Sequence, residues 1–272
     1  MVAEQSATVQ RSFLSHGDDP GAACGGDVKD LDWIEKLMTE WYEVKVRARL
    51  GGGPRDDKSI DVLGRRIVWK EQGIEYEADP KHREEITMVF NLEAKSKSLS
   101  VTGQAENGEE SDGLELDREE AAKFRAVAAR MNYLAQDSPD LQFAAKEVCR
   151  HMAKPTVGAW ARAKKLARYV LGRSRAVYMF KWQYQECGLK LYTDSDWGGC
   201  RRTRRSTTGG VLMCGPHCIW TWSLTQGPIA LSSAEAEYYA MVVGASRALS
   251  VRAVGREIGF FLGVGADRAL YG

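Results

Sequence analysis

The chain has 272 residues, 44% apolar and 28% charged, with a formal net charge of +1. That is the composition of a soluble globular protein with length for one large or two ordinary domains, and it excludes fibrous and wholly disordered classes. Neither a signal-peptide pattern nor an apolar run of membrane-spanning length is read along it, so no membrane partner is expected. The six cysteines then imply a reducing intracellular setting, cytoplasmic or nuclear.

Residues 1–27 hold few large apolar side chains and are broken by Gly17, Pro20, Gly21, Gly25 and Gly26, so they are expected to be mostly poorly ordered. Within them two adjacent acids, Asp18 and Asp19, follow His16 and Gly17. Val28, Leu31, Ile34, Leu37, Met38 and Trp41 recur at helical spacing after Asp27, which predicts an amphipathic helix with its stripe in a core. Beyond Gly51-Gly52-Gly53-Pro54, short strands are predicted over 60–63, 66–69 and 74–77, the last two joined by a turn at Gly73. Residues 95–116 are polar and glycine-rich and read as an acidic linker at a domain boundary.

Three helices are predicted next. One covers 117–135, with Asp117 and Glu120 as a capping box. The second covers 139–152, with Ser138 as cap and Pro139 at the first helical position, and the third covers 156–171, ended by Gly172. A strand over 189–193 runs into Asp194, and two strands over 209–214 and 217–222 form a hairpin about Gly215-Pro216. A helix pair, 234–249 and 250–262, follows, opened by Ser232 or Ser233 with Glu235 completing a capping box. Strand, hairpin and helix, with one acid on the first strand and another on the helix, is a layout that can hold a divalent cation.

Charge is unevenly spread. From Arg150 to Arg205 fourteen Lys and Arg face three acids, and Lys164, Lys165, Arg168, Arg201, Arg202, Arg204 and Arg205 are the candidates for contact with nucleic acid. The helical part is equally consistent with a solvated face. Four arginines crowded into one loop repel each other unless an anion compensates them. Cys187, Cys200, Cys214, His217 and Cys218 cluster in sequence, but no second pair repeats the spacing of Cys214 and Cys218, so zinc is set aside in favour of free thiols on strands.

The motifs Y-T-D-S-D-W-G-G (192–199), R-R-S-T-T-G-G (204–210), I-W-T-W-S (219–223) and A-L-S-S-A-E-A-E-Y-Y-A (230–240) together resemble the ribonuclease H domain of copia-type LTR retrotransposon Pol polyproteins. M-N-Y-L-A-Q-D-S-P-D (131–140) and W-A-R-A-K-K-L-A-R-Y-V-L-G (160–172) resemble the helical stretch that such polyproteins carry before it, and D-L-D-W-I-E-K, V-L-G-R-R-I and G-I-E-Y-E-A-D-P-K-H resemble the end of their reverse transcriptase. The resemblance implies an α/β chain: a ribonuclease H-like mixed sheet with helices over 183–272, preceded by a partial α+β palm over 28–94 and a helical thumb or connection region over 117–182. It implies hydrolysis of RNA in an RNA:DNA hybrid.

By that resemblance Asp194 matches the first catalytic acid and Glu237 the helix glutamate. Two-metal hydrolysis of a phosphodiester needs several carboxylates converging on cations roughly 3.5 to 4 Å apart, and hard oxygen ligands select Mg2+ or Mn2+. Asp196 and Glu235 read instead as a turn former and a capping partner. The family's further acids lie on and after the strand that follows the helix pair; the sequence stops at Gly272 and Asp267 comes too early, so a C-terminally truncated domain with weak or absent activity is expected. Asp18 and Asp19 resemble the metal-binding double aspartate of the polymerase palm, and read equally as an ordinary Asp-Pro turn. A sequence-independent nucleic-acid-binding remnant and a decayed, inactive reading frame stay open as alternatives.

Overall fold

The computed structural model describes residues 12–16, 21–25, 28–43, 45–93, 95–100, 113–183, 188–257 and 264–266. Asp18, Asp19, Cys187, Asp267 and the acidic run 106–112 lie outside them. Within the stretch expected to lack order, β1 (Ser12–His16) and β2 (Gly21–Gly25) pair antiparallel, with His16 opposite Gly21. Helix α1 (Val28–Trp41) has the predicted bounds; of the stripe expected in a core, Leu37 and Trp41 are exposed and Met38 is half-buried.

The first four-stranded sheet is antiparallel in the order β3 (Ser59–Val62), β4 (Arg65–Lys70), β5 (Gly73–Glu77), β6 (Val177–Lys181). The β3–β4 hairpin turns on Leu63 and Gly64, both at positive φ (50° and 78°), the two-residue geometry whose twist matches that of the strands. β6 lies within the region expected to be helical, yet its partner β5 is about a hundred residues earlier in the chain. The chain segment that holds the helices is thus inserted between two neighbouring strands of this sheet.

Those helices are α2 (Pro80–Val89), α3 (Arg118–Gln136), α4 (Gln142–Cys149) and α5 (Val157–Gly172). They share one core, in which Ile86, Phe124, Met131, Leu134, Leu166 and Val170 are buried. Asp117 and Thr156 cap α3 and α5 by accepting from the N–H groups of Glu120 and Ala159, the side-chain caps that satisfy otherwise orphaned donors. α2 has no counterpart among the predicted elements, although Asp79 caps it and Pro80 occupies its first turn. The predicted 139–152 helix is a short 3-10 turn, Pro139–Leu141, followed by the shorter α4. Ser138 does not cap it, because its Oγ accepts from the buried Arg83 Nη2 at 2.6 Å. Asp137 docks the sheet on this bundle: it accepts from Arg65 Nε at 2.9 Å and Tyr76 OH at 2.7 Å.

The second sheet is mixed, in the order β10 (Val264–Ala266), β7 (Leu189–Ser195), β8 (Thr207–Cys214), β9 (His217–Thr225), with β10 parallel to β7 and the rest antiparallel. One continuous helix, α6 (Ser233–Glu257), covers it where the sequence predicts a pair with a break near 249. Ser250 does not interrupt α6 because its hydroxyl bonds back to the Ser246 carbonyl at 3.0 Å. Leu189, Leu191, Leu212, Trp222 and Ala248 form the second core.

Candidate functional site

Asp194 stands near the end of β7 opposite Gly209, and Glu237 lies in the second turn of α6. Ser195 N–H donates to Glu237 Oε1 at 3.1 Å, which brings the two acids to the same end of the strand. Asp194 is exposed and Glu237 half-buried. A ridge of small residues on α6, Ala236, Ala240, Gly244 and Ala248, lets the helix approach β7 closely. A Cβ on Gly244 would lie 2.5 Å from Thr193 Cγ2 and 3.1 Å from Leu191 Cδ1, so the helix-to-strand spacing that sets the acidic pair depends on that glycine.

The neighbouring acids are engaged elsewhere. Asp196 Oδ1 accepts from the N–H groups of Gly199 at 3.1 Å and Thr207 at 2.8 Å. Glu235 Oε2 accepts from Leu231 N–H at 2.7 Å and its Oε1 from Tyr239 OH at 2.9 Å, while its own N–H donates to Ser232 Oγ at 3.1 Å. Ser232 is thus the cap, but the predicted capping box is not reciprocal, because Glu235 reaches back to the N–H of Leu231, one residue before the cap. Among the described residues no group of three or more His, Cys, Asp and Glu could hold a metal ion. Cys214 is disulfide-bonded rather than a free thiol, and Cys218 is free and exposed.

The loop between β7 and β8 presents Arg201, Arg202, Arg204 and Arg205, all exposed. It is tied across its neck, where Arg204 N–H donates to Cys200 O at 2.7 Å and Cys200 N–H to Arg205 O at 3.1 Å. Arg204 takes a left-handed φ of 55°, and its guanidinium packs over Gly198. Burial pushes the Cys200 thiol up, but hydrogen bonding with Thr203 and the charge of Arg150 outweigh it and hold the thiol below its ordinary value. On α5, Lys164 is exposed, whereas Lys165 and Arg168 are half-buried and Arg168 Nε is shut off from solvent.

Sequence reasoning missed how α4 meets this sheet. Gln142 Nε2 donates to Thr221 O at 3.2 Å and Oγ1 at 2.8 Å on the edge strand β9, and Lys146 Nζ donates to Thr207 Oγ1 at 2.8 Å. Nothing in the local pattern marks either residue, since both are ordinary helix formers.

No protein-family model matches the chain. It is 35% identical over 125 residues to an uncharacterised mitochondrial protein of Arabidopsis thaliana, covering 45% of this chain and 51% of that protein. It is 28% identical over 194 residues to the retrovirus-related Pol polyprotein from transposon RE2 of the same plant, covering 66% of this chain and 13% of the polyprotein. The Pol polyproteins from transposons RE1 and, in Nicotiana tabacum, TNT 1-94 match at 30% and 32% identity. The chain resembles retrovirus-related Pol polyproteins of plant transposons over part of its length. It spans about half the length of the first of these relatives and a small part of the polyproteins. A solved foamy viral protease-reverse transcriptase in complex with double-stranded DNA covers 90% of this chain and 36% of its own at a TM-score of 0.45 and 9% identity, too slight a likeness to carry an argument. No helix among the described residues is long and apolar enough to cross a membrane.

Proposed function

We propose that residues 183–272 are a ribonuclease H-like unit that binds RNA:DNA hybrid and hydrolyses its RNA strand only weakly in this chain, with 28–94 the end of a reverse transcriptase palm and 117–182 its helical connection. The observation that carries this reading is the meeting of Asp194 and Glu237 at one end of β7, set by the Ser195 N–H to Glu237 bond. The pair offers hard oxygen donors, the chemistry that Mg2+ or Mn2+ requires. Asp194 and Glu237 would hold the cation, and once bound it would supply an activated water and a stabilised leaving oxygen. Among the described residues the pair is short of the several carboxylates that two-metal hydrolysis uses, which is the reason for expecting little turnover. Asp18 and Asp19 remain candidates for a second metal site by resemblance alone. An intracellular setting, cytoplasmic or nuclear, fits the family.

The test is cleavage and binding of a labelled hybrid with Mg2+ and then Mn2+, comparing this chain with Asp194→Asn. Expected are salt-sensitive binding by both and slow cleavage by the parent, lowered about a hundredfold or more in the variant, because a metal ligand is worth several kcal/mol at the transition state. Equal cleavage by the two proteins removes Asp194 from the site. Absence of hybrid binding at low salt overturns the reading.

A second reading, sequence-independent nucleic-acid binding without hydrolysis, is favoured by the four exposed arginines of the β7–β8 loop, which suit phosphates rather than base edges.

A further inference from the structure

Thr207, the first residue of β8, closes the base of the arginine loop and is held from two directions. Asp196 Oδ1 takes its N–H at 2.8 Å, and Asp196 N–H returns to its carbonyl at 3.2 Å, so the two strand ends are locked together. From outside the sheet, Lys146 Nζ on α4 donates to its hydroxyl at 2.8 Å.

Lys146 is an unusual side chain to find there. It is only 14% exposed, and lysine is almost never buried unless paired. Its partners are Glu147 at 3.2 Å and the Phe143 ring, with Nζ 4.6 Å from the centroid. Glu147 is itself fixed by Arg150 Nη1, 3.0 Å from both oxygens. A side chain so enclosed is poorly placed to reach a phosphate. Its ammonium is taken up by Glu147 and Thr207, and of the two it is Thr207 that leads to the loop.

We propose that α4 is a positioning element for the nucleic-acid-facing loop, and that Lys146, through Thr207 Oγ1, is the residue by which the helical bundle sets the arrangement of Arg201, Arg202, Arg204 and Arg205. This deepens the reading above and rests on it for the identity of the ligand. Helix α4 stays attached without the contact, because Gln142 holds Thr221 independently. Lys146→Met therefore loosens the loop and leaves the docking of the helix in place.

The test has two arms, run on the full chain. In the first, amide hydrogen exchange is followed without nucleic acid. The expected result is faster exchange at Thr207, Cys200 and Arg204 in Lys146→Met and in Thr207→Val, by about fivefold, the factor that one hydrogen bond of ordinary net strength commands. Lys146→Arg, which keeps the charge and the donor, should restore protection. Thr207→Val preserves side-chain shape and strand preference and so serves if the buried lysine cannot be removed without unfolding. Unchanged exchange in Thr207→Val and in folded Lys146→Met overturns the proposal whatever the ligand.

In the second arm the affinity for RNA:DNA hybrid is measured against salt for Lys146→Met, for a variant with Arg201, Arg202, Arg204 and Arg205 all replaced by alanine, and for the combination of the two. Action through the loop predicts a flatter salt slope for Lys146→Met, by about one unit for each phosphate the loop no longer reaches, and no further flattening when it is added to the four-arginine variant. Additive effects mean that Lys146 acts on its own and overturn the proposal. A loosened loop in a parent chain that binds no hybrid supports the positioning role and removes the functional reading.

Discussion

Glu77 ends β5 with 8% of its surface exposed, and both of its oxygens are taken by Arg175, Nε at 2.6 Å and Nη2 at 2.8 Å. The Arg175 hydrogen bonds hold the Glu77 carboxyl below its ordinary value, against the opposing effect of burial. A carboxylate with a depressed folded-state value contributes stability that is present above the unfolded value and lost as pH falls through the folded one. Glu77→Gln should therefore lower the urea midpoint at pH 7, and the gap to the parent should close as pH drops below the usual glutamate range. A gap that stays constant from pH 7 down to about 3 would show that the loss is packing rather than charge. Asp194 is the opposite case: it is exposed, and among the described residues no hydrogen bond or ion pair engages its carboxylate. It can take a cation without giving up a partner. Asp194 is legible in the sequence because a run of neighbouring motif residues marks it, whereas Glu77 and Arg175 stand 98 positions apart and no local signal joins them.

At the scale of the element, what local chemistry decides is readable and what long-range packing decides is not. The caps at Asp117, Thr156 and Ser232 depend on residues three apart and are visible in the sequence. The pairing of β6 with β5 and the exposure of Leu37 and Trp41 on α1 depend on what the rest of the chain places beside them. The unbroken course of α6 turns on one serine hydroxyl finding a carbonyl within its own helix. Gly244 makes the same point with a sign attached. By helix propensity alone Gly244→Ala would stabilise α6 by up to about 1 kcal/mol. The added methyl would instead meet Thr193 and Leu191, and overpacking of a close helix–strand contact costs about 1–3 kcal/mol, so the net change should be a loss of stability. Urea unfolding would register that as a lower midpoint, and a raised midpoint would mean that the helix has room to spare. Displacing α6 also moves Glu237 away from Ser195, so any hybrid cleavage should fall along with stability.

The described residues form two cores, one in the helical bundle and one between α6 and the mixed sheet, and α4 reaches from the first core to the second sheet with Gln142 and Lys146. A net charge of +1 conceals a basic segment that runs from the helical bundle into the loop of the second sheet, so affinity for a polyanion should depend on that segment rather than on overall charge. Each phosphate that a lysine or arginine neutralises releases condensed counterions, and the logarithm of affinity falls with the logarithm of salt by about 0.9 per contact on B-form duplex. Exposed Arg204 and Arg205 would each contribute one such contact. Replacing both with alanine should then weaken binding to hybrids of any sequence about equally and flatten the slope by about two units. Lys164→Ala on α5 is the informative control. If α5 belongs to the same footprint, this substitution flattens the slope by about one further unit, and if that helix face is merely solvated the slope stays where the loop leaves it. An unchanged slope in the double arginine variant would place the phosphate contacts elsewhere and return Arg201 to Arg205 to the status of a solvent-facing loop.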